Sequence, residues 1–320
     1  MLDIHTLVLF PILLQLKEKG EGMKFITFQY DGKERAGLLV EDQVIDLNQA
    51  SNGRIPVDLL SILENYDLYK NEIAELTGEG IPLSSVQLRA PLPRPQSIRD
   101  FYAFEEHVKT ARGRRGLEMI PEWYEVPVFY FTNHRAVVGP DDLVSIPANS
   151  KKMDFELEIA CIIGKEGKDI SVEEADDYIL GYTILNDWSA RDIQAHEVKV
   201  GLGPSKGKDF ATSIGPWIVT KDELEQYRTD KSYDLRMTAS VNGNVISSGN
   251  FSTIYYSIPE LIAHASKNVK LYPGDVIGSG TVGTGCILEL GEEKHRWLED
   301  GDEVELSITG LGTLRNTVRK

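Results

Sequence analysis

Hydrophobic and polar residues alternate over short stretches along most of the chain, a pattern typical of β-strands whose two faces lie in different surroundings. Gly, Pro, Asn and Asp separate these stretches, as turns between strands require. Asn242-Gly243 stands between two alternating stretches and predicts a two-residue hairpin turn. The pattern predicts strands at KFITFQY, ERAGLLV, VIDL, PVFYF, FELEIACIIG, ILGYTILNDW, GPWIVT, LRMTASV, NVISSG, DVIGSG, CILEL and DEVELSITGLG.

Helical spacing of apolar residues is confined to a few segments. It predicts helices over 57–66 and 70–77, then over Val172–Asp177 with Ser171 as N-cap, and over Ile258–Lys267. Strands and helices do not alternate regularly, so a doubly wound parallel sheet is disfavoured. The prediction is an α+β fold that is mostly β.

A proline-rich stretch divides this pattern in two. The segment APLPRPQS at 90–97 has three prolines in eight residues and predicts a linker. We therefore predict an N-terminal extension over 1–22, a small N-terminal α+β domain over 23–92 and a larger catalytic domain over 93–320.

The first residues contain an apolar run, Leu7–Leu16. It is shorter than the roughly 20 apolar residues that span a bilayer. No basic residue precedes it and no small-residue cleavage site follows, so a signal peptide is disfavoured. A strand pattern begins directly at Met23, which predicts a second start there and a dispensable segment over 1–22.

Charge and cysteine content narrow the class of protein. The 320-residue chain has a net charge of −16, which argues against nucleic acid and anionic membranes as partners. A metal ion or local Lys and Arg side chains would have to hold an acidic substrate. Cys161 and Cys286 both lie in apolar runs and predict buried thiols in a reducing, cytoplasmic compartment.

Acidic residues occupy alternate positions in the run MDFELEIACIIG. In one strand, Asp154, Glu156 and Glu158 would share a face, with Cβ atoms about 7 Å apart. Such carboxylates repel and raise one another's pKa unless a cation lies among them, and a hard divalent cation prefers oxygen ligands. The alternative is a solvated strand face whose charges point at water.

Further side chains with chemical potential cluster in three segments: RDFYAFEEHVKTARGRR, ILNDWSARDIQ and GPSKGKDFATS. A fourth segment, GSGTVG, matches the spelling of a dinucleotide-binding loop. A strand-like run, CILEL, follows it where a helix should begin, so this function is disfavoured.

These segments together resemble the fumarylacetoacetate hydrolase (FAH) family over about residues 98–320. The resemblance rests on RDFYAFEEH, PVFYF, FELEIACIIG, NDWSARDIQ, GPSKGKDFATSIGPW, GSGTVG with ILEL after it, and GDEVELSITGLGTLRNTV. It is weak over 23–90. It implies an FAH-type mixed β-roll catalytic domain and a homodimer.

The resemblance also implies roles for particular residues. The implied ligands of Mg²⁺, Mn²⁺ or Ca²⁺ are Asp100, Glu156, Glu158 and Asp187. The implied general base is His107, oriented by Glu289, and the implied oxyanion donors are Arg191, Gln194 and Lys208. The implied substrate contacts are Tyr102, Tyr130, Thr281 and one or more of Arg112, Arg114 and Arg115.

Each of these roles has a structural alternative. Tyr102 and Tyr130 could be core aromatics with a satisfied hydroxyl. Arg191 could pair with Asp192 or another acid, and Lys208 could be a solvated side chain in a glycine-flanked loop. Glu289 could be a half-buried residue with a structural role, because it alternates with apolar residues in the predicted strand CILEL.

Two departures from the family pattern bear on the reaction. Val198 stands where fumarylacetoacetate hydrolases proper carry a substrate-binding tyrosine. Thr110 stands three residues after His107, where the decarboxylase and acylpyruvate branch carries a glutamate. The second departure favours the His107–Glu289 pair and hydrolysis.

The sequence thus predicts a metal-dependent hydrolase that cleaves a C–C bond in a small 1,3-diketo acid. An alternative is a decarboxylase, isomerase or hydratase acting on a 2-oxo acid in aromatic catabolism, on the same scaffold. A third reading is a cation-stabilised binding module without turnover, although metal binding alone needs neither His107 nor Glu289 nor Lys208.

Overall fold

The computed structural model describes residues 22–76 and 78–320. The predicted extension over 1–22 lies outside the described residues except for Gly22, so its dispensability stays a prediction. The strands are β1 (Lys24–Tyr30), β2 (Lys33–Val40), β3 (Gln43–Asp46), β4 (Ile81–Pro82), β5 (Gln87–Arg89), β6 (Ile98–Phe101), β7 (Phe129–Thr132), β8 (Val137–Val138), β9 (Leu143–Ser145), β10 (Met153–Asp154), β11 (Leu157–Ile163), β12 (Gly167–Lys168), β13 (Ile179–Asp187), β14 (Ser189–Ala190), β15 (Thr212–Thr220), β16 (Arg236–Val241), β17 (Asn244–Asn250), β18 (Lys270–Leu271), β19 (Val276–Gly278), β20 (Glu303–Ile308) and β21 (Gly312–Arg319).

Helices are fewer and shorter than strands. The α-helices are α1 (Leu47–Ala50), α2 (Leu59–Glu64), α3 (Tyr66–Glu75), α4 (Glu105–Gly113), α5 (Arg191–Glu197), α6 (Lys221–Leu224), α7 (Ile258–Ala265) and α8 (Ile287–Leu290). Single 3₁₀ turns cover Leu83–Ser85, Pro121–Tyr124, Ala175–Tyr178, Val198–Val200, Glu225–Tyr227 and Phe251–Thr253. The prediction of an α+β, mostly β fold is confirmed.

The largest sheet has twelve strands, which come from parts of the described chain as far apart as β1 and β19. Its order is β4-β3-β2-β1-β15-β13-β11-β19-β6-β7, with β5 beside β1 and β8 beside β15. Strand β1 pairs with β15, so Lys24 lies opposite Val219. Strands before and after the predicted linker are therefore hydrogen-bonded in one sheet, and the division at residue 92 stays a prediction.

A second sheet has five strands in the order β17-β16-β20-β21-β9. The main core lies between the two sheets, and a second core lies between the large sheet and helices α2 and α3. Strand β11 is buried on both faces, because Ile159 and Cys161 face the main core while Ala160 and Ile162 face the second. Because β11 is central, Glu158 on this strand and Glu156 just before it are buried inside the protein.

Several predicted elements are confirmed by the structure. The Asn242-Gly243 turn joins β16 to β17, and both residues take positive φ angles, +51° and +76°, as this turn requires. Helix α7 begins at Ile258 behind Ser257, whose hydroxyl and backbone N–H form a capping box with Glu260. Both cysteines are buried and free, as predicted.

Two other predictions are wrong. The helix expected over Val172–Asp177 is a single 3₁₀ turn at Ala175–Tyr178, because Val172 is exposed and leaves this segment without an apolar face. The strand expected at CILEL is the one-turn helix α8. Its N–H groups at Ile287 and Leu288 donate to the Asp154 carboxylate, at 2.8 and 3.1 Å, instead of to a neighbouring strand.

That one-turn helix also affects the argument about GSGTVG, which relied on a following strand. The helix that does follow spans only Ile287–Leu290. This short helix carries Glu289, a predicted catalytic residue, and does not provide the longer helix that a dinucleotide-binding loop requires. Among the helices that the structure describes, none is long and apolar enough to cross a membrane.

Candidate active site

A cavity of about 720 Å³ opens beside the carboxyl end of β6 and the start of α4. Most of the residues singled out in the sequence line it. These are Asp100, Tyr102, His107, Arg115, Tyr130, Glu156, Glu158, Arg191, Gln194, Lys208 and Thr281. Segments far apart in the chain therefore meet at one place, which is the candidate active site.

Neighbouring strands bring three of the acids together. Asp100 is on β6, Glu158 is on β11 and Asp187 ends β13. In the sheet, β13 is next to β11, and β19 lies between β11 and β6. Each of the three carboxyl groups has an oxygen within 4.8 Å of the others. The sheet order, rather than spacing along one strand, builds this acidic triplet.

Burial makes the acidic triplet electrostatically unfavourable by itself. Burial and the charge of Asp187 raise the pKa of Asp100 to about 8. Burial and the charge of Asp100 raise the pKa of Glu158 well above its ordinary value. Two oxygens, Glu158 Oε2 and Asp187 Oδ1, are buried without a hydrogen-bond partner among the described residues. Unpartnered carboxylate oxygens of this kind fit a hard divalent cation.

Glu156 has a different environment from the triplet. Its Oε1 accepts from Arg191 Nη2 at 2.7 Å and its Oε2 accepts from Lys208 Nζ. Burial alone would raise the pKa of Glu156, but the Lys208 and Arg191 charges hold it below the usual range. Lys208 Nζ also donates to Asp187 Oδ2 at 2.5 Å, so one ammonium group joins two of the predicted ligands.

Asp154 is separated from the triplet, although it alternates with Glu156 and Glu158 in sequence. The strand is interrupted between β10 and β11, and the Asp154 carboxylate accepts from Arg191 Nε at 2.8 Å. All three acids are buried, so the alternative of a solvated strand face is wrong. Asp154 instead links Arg191 to the start of α8.

His107 and Glu289 form a buried pair at the side of the cavity. His107 is the third residue of α4, Glu289 is the third residue of α8, and His107 Nδ1 lies 2.8 Å from Glu289 Oε2. This is an ion-pair distance, although the ring N–H is not aligned for a hydrogen bond. Glu289 Oε1 accepts from the Thr284 N–H at 3.1 Å. The ring of Tyr102 packs edge to face against His107.

The predicted oxyanion donors are held by other charged or polar groups. Arg191 Nη1 donates to Gln194 Oε1 at 3.1 Å, and both residues are on α5. Arg191 binds Asp154 and Glu156 and does not pair with Asp192, whose carboxylate accepts from Ser150 and Lys151. Lys208 is only 5% exposed, so the alternative of a solvated lysine is wrong.

Tyr130 is fully engaged in the site and is not a packing aromatic alone. Its hydroxyl donates to Asp187 Oδ2, and its ring lies 6.0 Å from Lys208 Nζ. Burial and the charge of Asp187 raise the pKa of Tyr130 well above its usual value. Burial likewise raises the pKa of Tyr102 to about 12. Both phenols therefore keep their protons at neutral pH.

The three arginines of the RGRR segment have different surroundings. Arg115 lines the cavity. Arg112 Nε donates to the Glu118 carbonyl at 2.5 Å, outside the cavity lining. Arg114 donates to backbone carbonyls at the end of α8, which are also outside the lining. The sequence left the choice among the three open, because they stand within four positions.

The outer part of the cavity was missed by sequence reasoning. Its wall is mostly apolar and consists of Val128, Phe129, Ala195, Val198, Leu202, Pro204, Leu288 and Trp297. Lys152 Nζ lies 5.3 Å from the Trp297 ring and 3.2 Å from the Glu292 carboxylate. Val198 alone of these was singled out in the sequence. Val128, Phe129, Pro204 and Leu288 lie in segments that carry the family resemblance, but nothing in the segments themselves indicates that these side chains face one cavity.

The fold and this site define a known class of protein. Residues 96–319 match the model of the fumarylacetoacetate (FAA) hydrolase C-terminal domain. The chain belongs to the fumarylacetoacetate hydrolase family, a family of enzymes that act on small molecules. The resemblance found in the sequence is thereby confirmed, as is the FAH-type fold.

Relatives of this chain are named for different activities. Oxaloacetate tautomerase YisK of Bacillus subtilis is 31% identical over 318 residues, which cover 92% of this chain and 100% of that protein. A solved fumarylacetoacetate hydrolase of Exiguobacterium antarcticum is 27% identical with a TM-score of 0.74, and the match covers 93% of this chain and 98% of that one.

A third relative bears on the metal. Maleylpyruvate hydrolase of Sphingobium sp. SYK-6, solved in complex with manganese (II) ion and pyruvate, is 25% identical with a TM-score of 0.70. The match covers 93% of this chain and 99% of that one. Together with the unpartnered oxygens of the acidic triplet, it supports a divalent metal ion at this site.

Proposed function

We propose that this protein is a metal-dependent hydrolase that cleaves a C–C bond in a small 1,3-diketo acid. The observation that carries the proposal is the buried His107–Glu289 pair, at 2.8 Å, because His107 lines the same cavity as Asp100 and Glu158 of the acidic triplet. A histidine oriented by a carboxylate is the usual arrangement of a general base. Binding of a cation alone does not need it.

The proposed metal ligands are Asp100, Glu156, Glu158 and Asp187. Three of them have oxygens within 4.8 Å of one another, whereas the Glu156 oxygens accept from Arg191 and Lys208. Mg²⁺ and Mn²⁺ are the expected ions and Ca²⁺ is an alternative, because all three accept carboxylate oxygens. When bound, such an ion supplies Lewis-acid polarisation of the dicarbonyl oxygens. The ammonium group of Lys208 between Glu156 and Asp187 offsets the negative charge that the acids bring into the cavity.

The residues of the chain itself account for the proton transfers. With Nδ1 beside Glu289, His107 has Nε2 left to take a proton from water, whose oxygen attacks one carbonyl carbon. Lys208, Arg191 and Gln194 donate hydrogen bonds to the oxyanion that develops. The C–C bond then breaks, its electron pair takes up the proton that His107 Nε2 removed from water as the released ketone forms, and the other fragment leaves as a carboxylic acid.

The cavity also supports a type of substrate. Arg115 is the proposed partner of the substrate carboxylate, because it is the arginine of its segment that lines the cavity. The apolar wall that includes Val198 and Trp297 favours an uncharged tail. The proposed substrate is thus a diketo acid with one carboxylate near Arg115 and an apolar tail.

Replacing Arg115 with glutamine is expected to raise KM about 10- to 100-fold and to change kcat little, because a charge-assisted hydrogen bond of ~1.5–3 kcal/mol is lost in the ground state and transition state alike. Steady-state kinetics with the best diketo acid measure this. Arg115→Lys keeps the charge without the planar fork and should recover part of the loss. A fall in kcat at constant KM would contradict the carboxylate contact.

A second candidate function is keto–enol tautomerisation or a related isomerisation of a 2-oxo acid. The relative YisK, which matches nearly the whole chain, is named an oxaloacetate tautomerase. Such a reaction moves a proton between carbon and oxygen and consumes no water. The same base and the same oxyanion donors would serve it, so the His107–Glu289 pair supports catalysis over simple cation binding but does not separate the two reactions.

The two candidates are separated by their products. Acylpyruvates with apolar tails, fumarylacetoacetate, maleylpyruvate and oxaloacetate should each be assayed with Mg²⁺, with Mn²⁺ and with EDTA. Hydrolysis gives two fragments whose combined mass exceeds that of the substrate by one water. Tautomerisation leaves the mass unchanged, and decarboxylation releases CO₂. Metal-dependent cleavage of a diketo acid is expected. Tautomerisation without cleavage would overturn the proposal, and no turnover would favour a binding module.

We also expect the protein to be a cytoplasmic homodimer. Strand β7 is an edge of the large sheet and exposes Phe131 (67%), and unpaired edges with apolar side chains favour association. Light scattering at micromolar concentration should give twice the mass of 35.8 kDa. A monomer under these conditions would contradict the expectation.

A further inference from the structure

The one-turn helix α8, which carries Glu289, is too short to be stable alone. A single turn pays the cost of helix nucleation without the bonds that propagation adds. Its first N–H groups, at Ile287 and Leu288, donate to the buried carboxylate of Asp154 at 2.8 and 3.1 Å. The beginning of α8 is therefore held by a side chain from a distant strand.

The end of α8 is held by a second side chain. Arg114 Nη2 donates to the Leu290 carbonyl at 2.9 Å, and Arg114 Nε donates to the Glu289 carbonyl at 3.3 Å. The last carbonyls of a helix have no partner within it, and a cation there is favourable. Arg114 also contacts the Glu293 carboxylate at 2.8 Å, which holds the guanidinium in place.

Arg114 follows directly after α4, the helix that contains His107. Its guanidinium thus joins the end of the His107 helix to the end of the Glu289 helix. The distance between His107 Nδ1 and Glu289 Oε2 depends on how these two helices lie against each other. The Glu289 side chain has other contacts, from the Thr284 N–H and the Cys286 thiol, but both come from the segment that leads into α8.

We propose that Arg114 is a positioning residue that sets the His107–Glu289 pair by fixing the end of α8. Its position in the RGRR segment resembles that of a substrate-binding arginine, but its contacts are with the backbone that supports Glu289. The inference rests on the proposed role of His107 and Glu289 in the reaction. It makes Arg114 act on catalysis without touching substrate.

A double-mutant cycle tests this role. Arg114→Gln should lower kcat 10- to 100-fold, the scale of a misplacement of about 1 Å, and leave KM within about twofold. In the Glu289→Gln background, the same Arg114 change should lower kcat by less than twofold, because its target is already lost. Equal losses in both backgrounds would overturn the proposal, since Arg114 would then act independently of Glu289.

Arg228→Gln is the matched control. Arg228 is as exposed as Arg114, 40% against 41%, and also pairs with a glutamate, Glu225, at 2.6 Å. Neither Arg228 nor its partner lines the cavity. The control should keep wild-type kcat. A loss equal to that of Arg114→Gln would show a general effect of losing a half-exposed ion pair and would overturn the proposal.

Crystal structures separate this inference from the proposed function. If the wild-type protein turns over no substrate in the panel, the proposed function fails, and the position of Glu289 in the Arg114→Gln variant still decides the inference. A His107 Nδ1 to Glu289 Oε2 distance that increases by about 1 Å or more supports it, the scale used above. An unchanged distance of 2.8 Å overturns it.

Discussion

Replacing His107 with alanine is expected to lower kcat by about 10²–10⁴ and to leave the affinity for Mg²⁺ or Mn²⁺ unchanged. The imidazole lies beside Glu289 and lines the cavity, but it is not part of the acidic triplet. Its loss therefore removes the proposed base and no proposed ligand. Turnover of the best diketo acid and calorimetric metal titration measure the two effects separately.

The controls for His107 distinguish base catalysis from general damage. Glu289→Gln should lower kcat by a smaller factor, because the imidazole remains but loses the carboxylate beside it. His134→Ala, in the turn between β7 and β8 and outside the cavity lining, should have wild-type kinetics. Near wild-type turnover by His107→Ala would place the base elsewhere. Loss of metal binding would make His107 a ligand.

Glu158→Gln is expected to abolish most metal binding and yet not to destabilise the metal-free protein. Glu158 is buried with Asp100 and Asp187, and in the absence of a cation these carboxyl groups repel one another. A neutral amide keeps the contact with the Thr281 hydroxyl, which is 3.3 Å from Glu158 Oε1, and removes the repulsion. The melting temperature in EDTA should equal or exceed that of the wild type.

Added metal should reverse the order of stability. At a metal concentration of about 100 times Kd, the wild type should gain about 2.7 kcal/mol, whereas the variant should gain little. Thermal melts with EDTA and with excess Mg²⁺ or Mn²⁺, together with calorimetry, measure this. Glu166→Gln, an exposed acid paired with Lys270, should respond to metal like the wild type. Lower stability in EDTA with unchanged metal affinity would make Glu158 structural.

Local patterns in the sequence predicted the parts of the fold that depend on nearby residues. Alternation gave strands β1 and β2 almost to the residue, and Asn242-Gly243 predicted its turn, because side-chain period and positive φ are local properties. The order of residue types also identified the family, which then pointed to eleven of the residues that line the cavity. The strand predicted at CILEL was wrong because the helix there depends on Asp154, which is 133 residues from Ile287 and cannot be inferred from the neighbouring sequence.

Which charges pair with one another was decided only by the tertiary structure. Arg191 stands next to Asp192 in sequence but binds Asp154 and Glu156, and Arg114 reaches the carbonyls of α8, 175 residues further on. An arginine or a carboxylate can pair with any opposite charge that the fold brings within a few ångströms, so its partner cannot be read from local sequence. The sequence by itself determined the residue types that meet in this cavity. The sheet order sets Asp100, Glu158 and Asp187 side by side, and the fold brings Lys208 against Glu156 and Asp187.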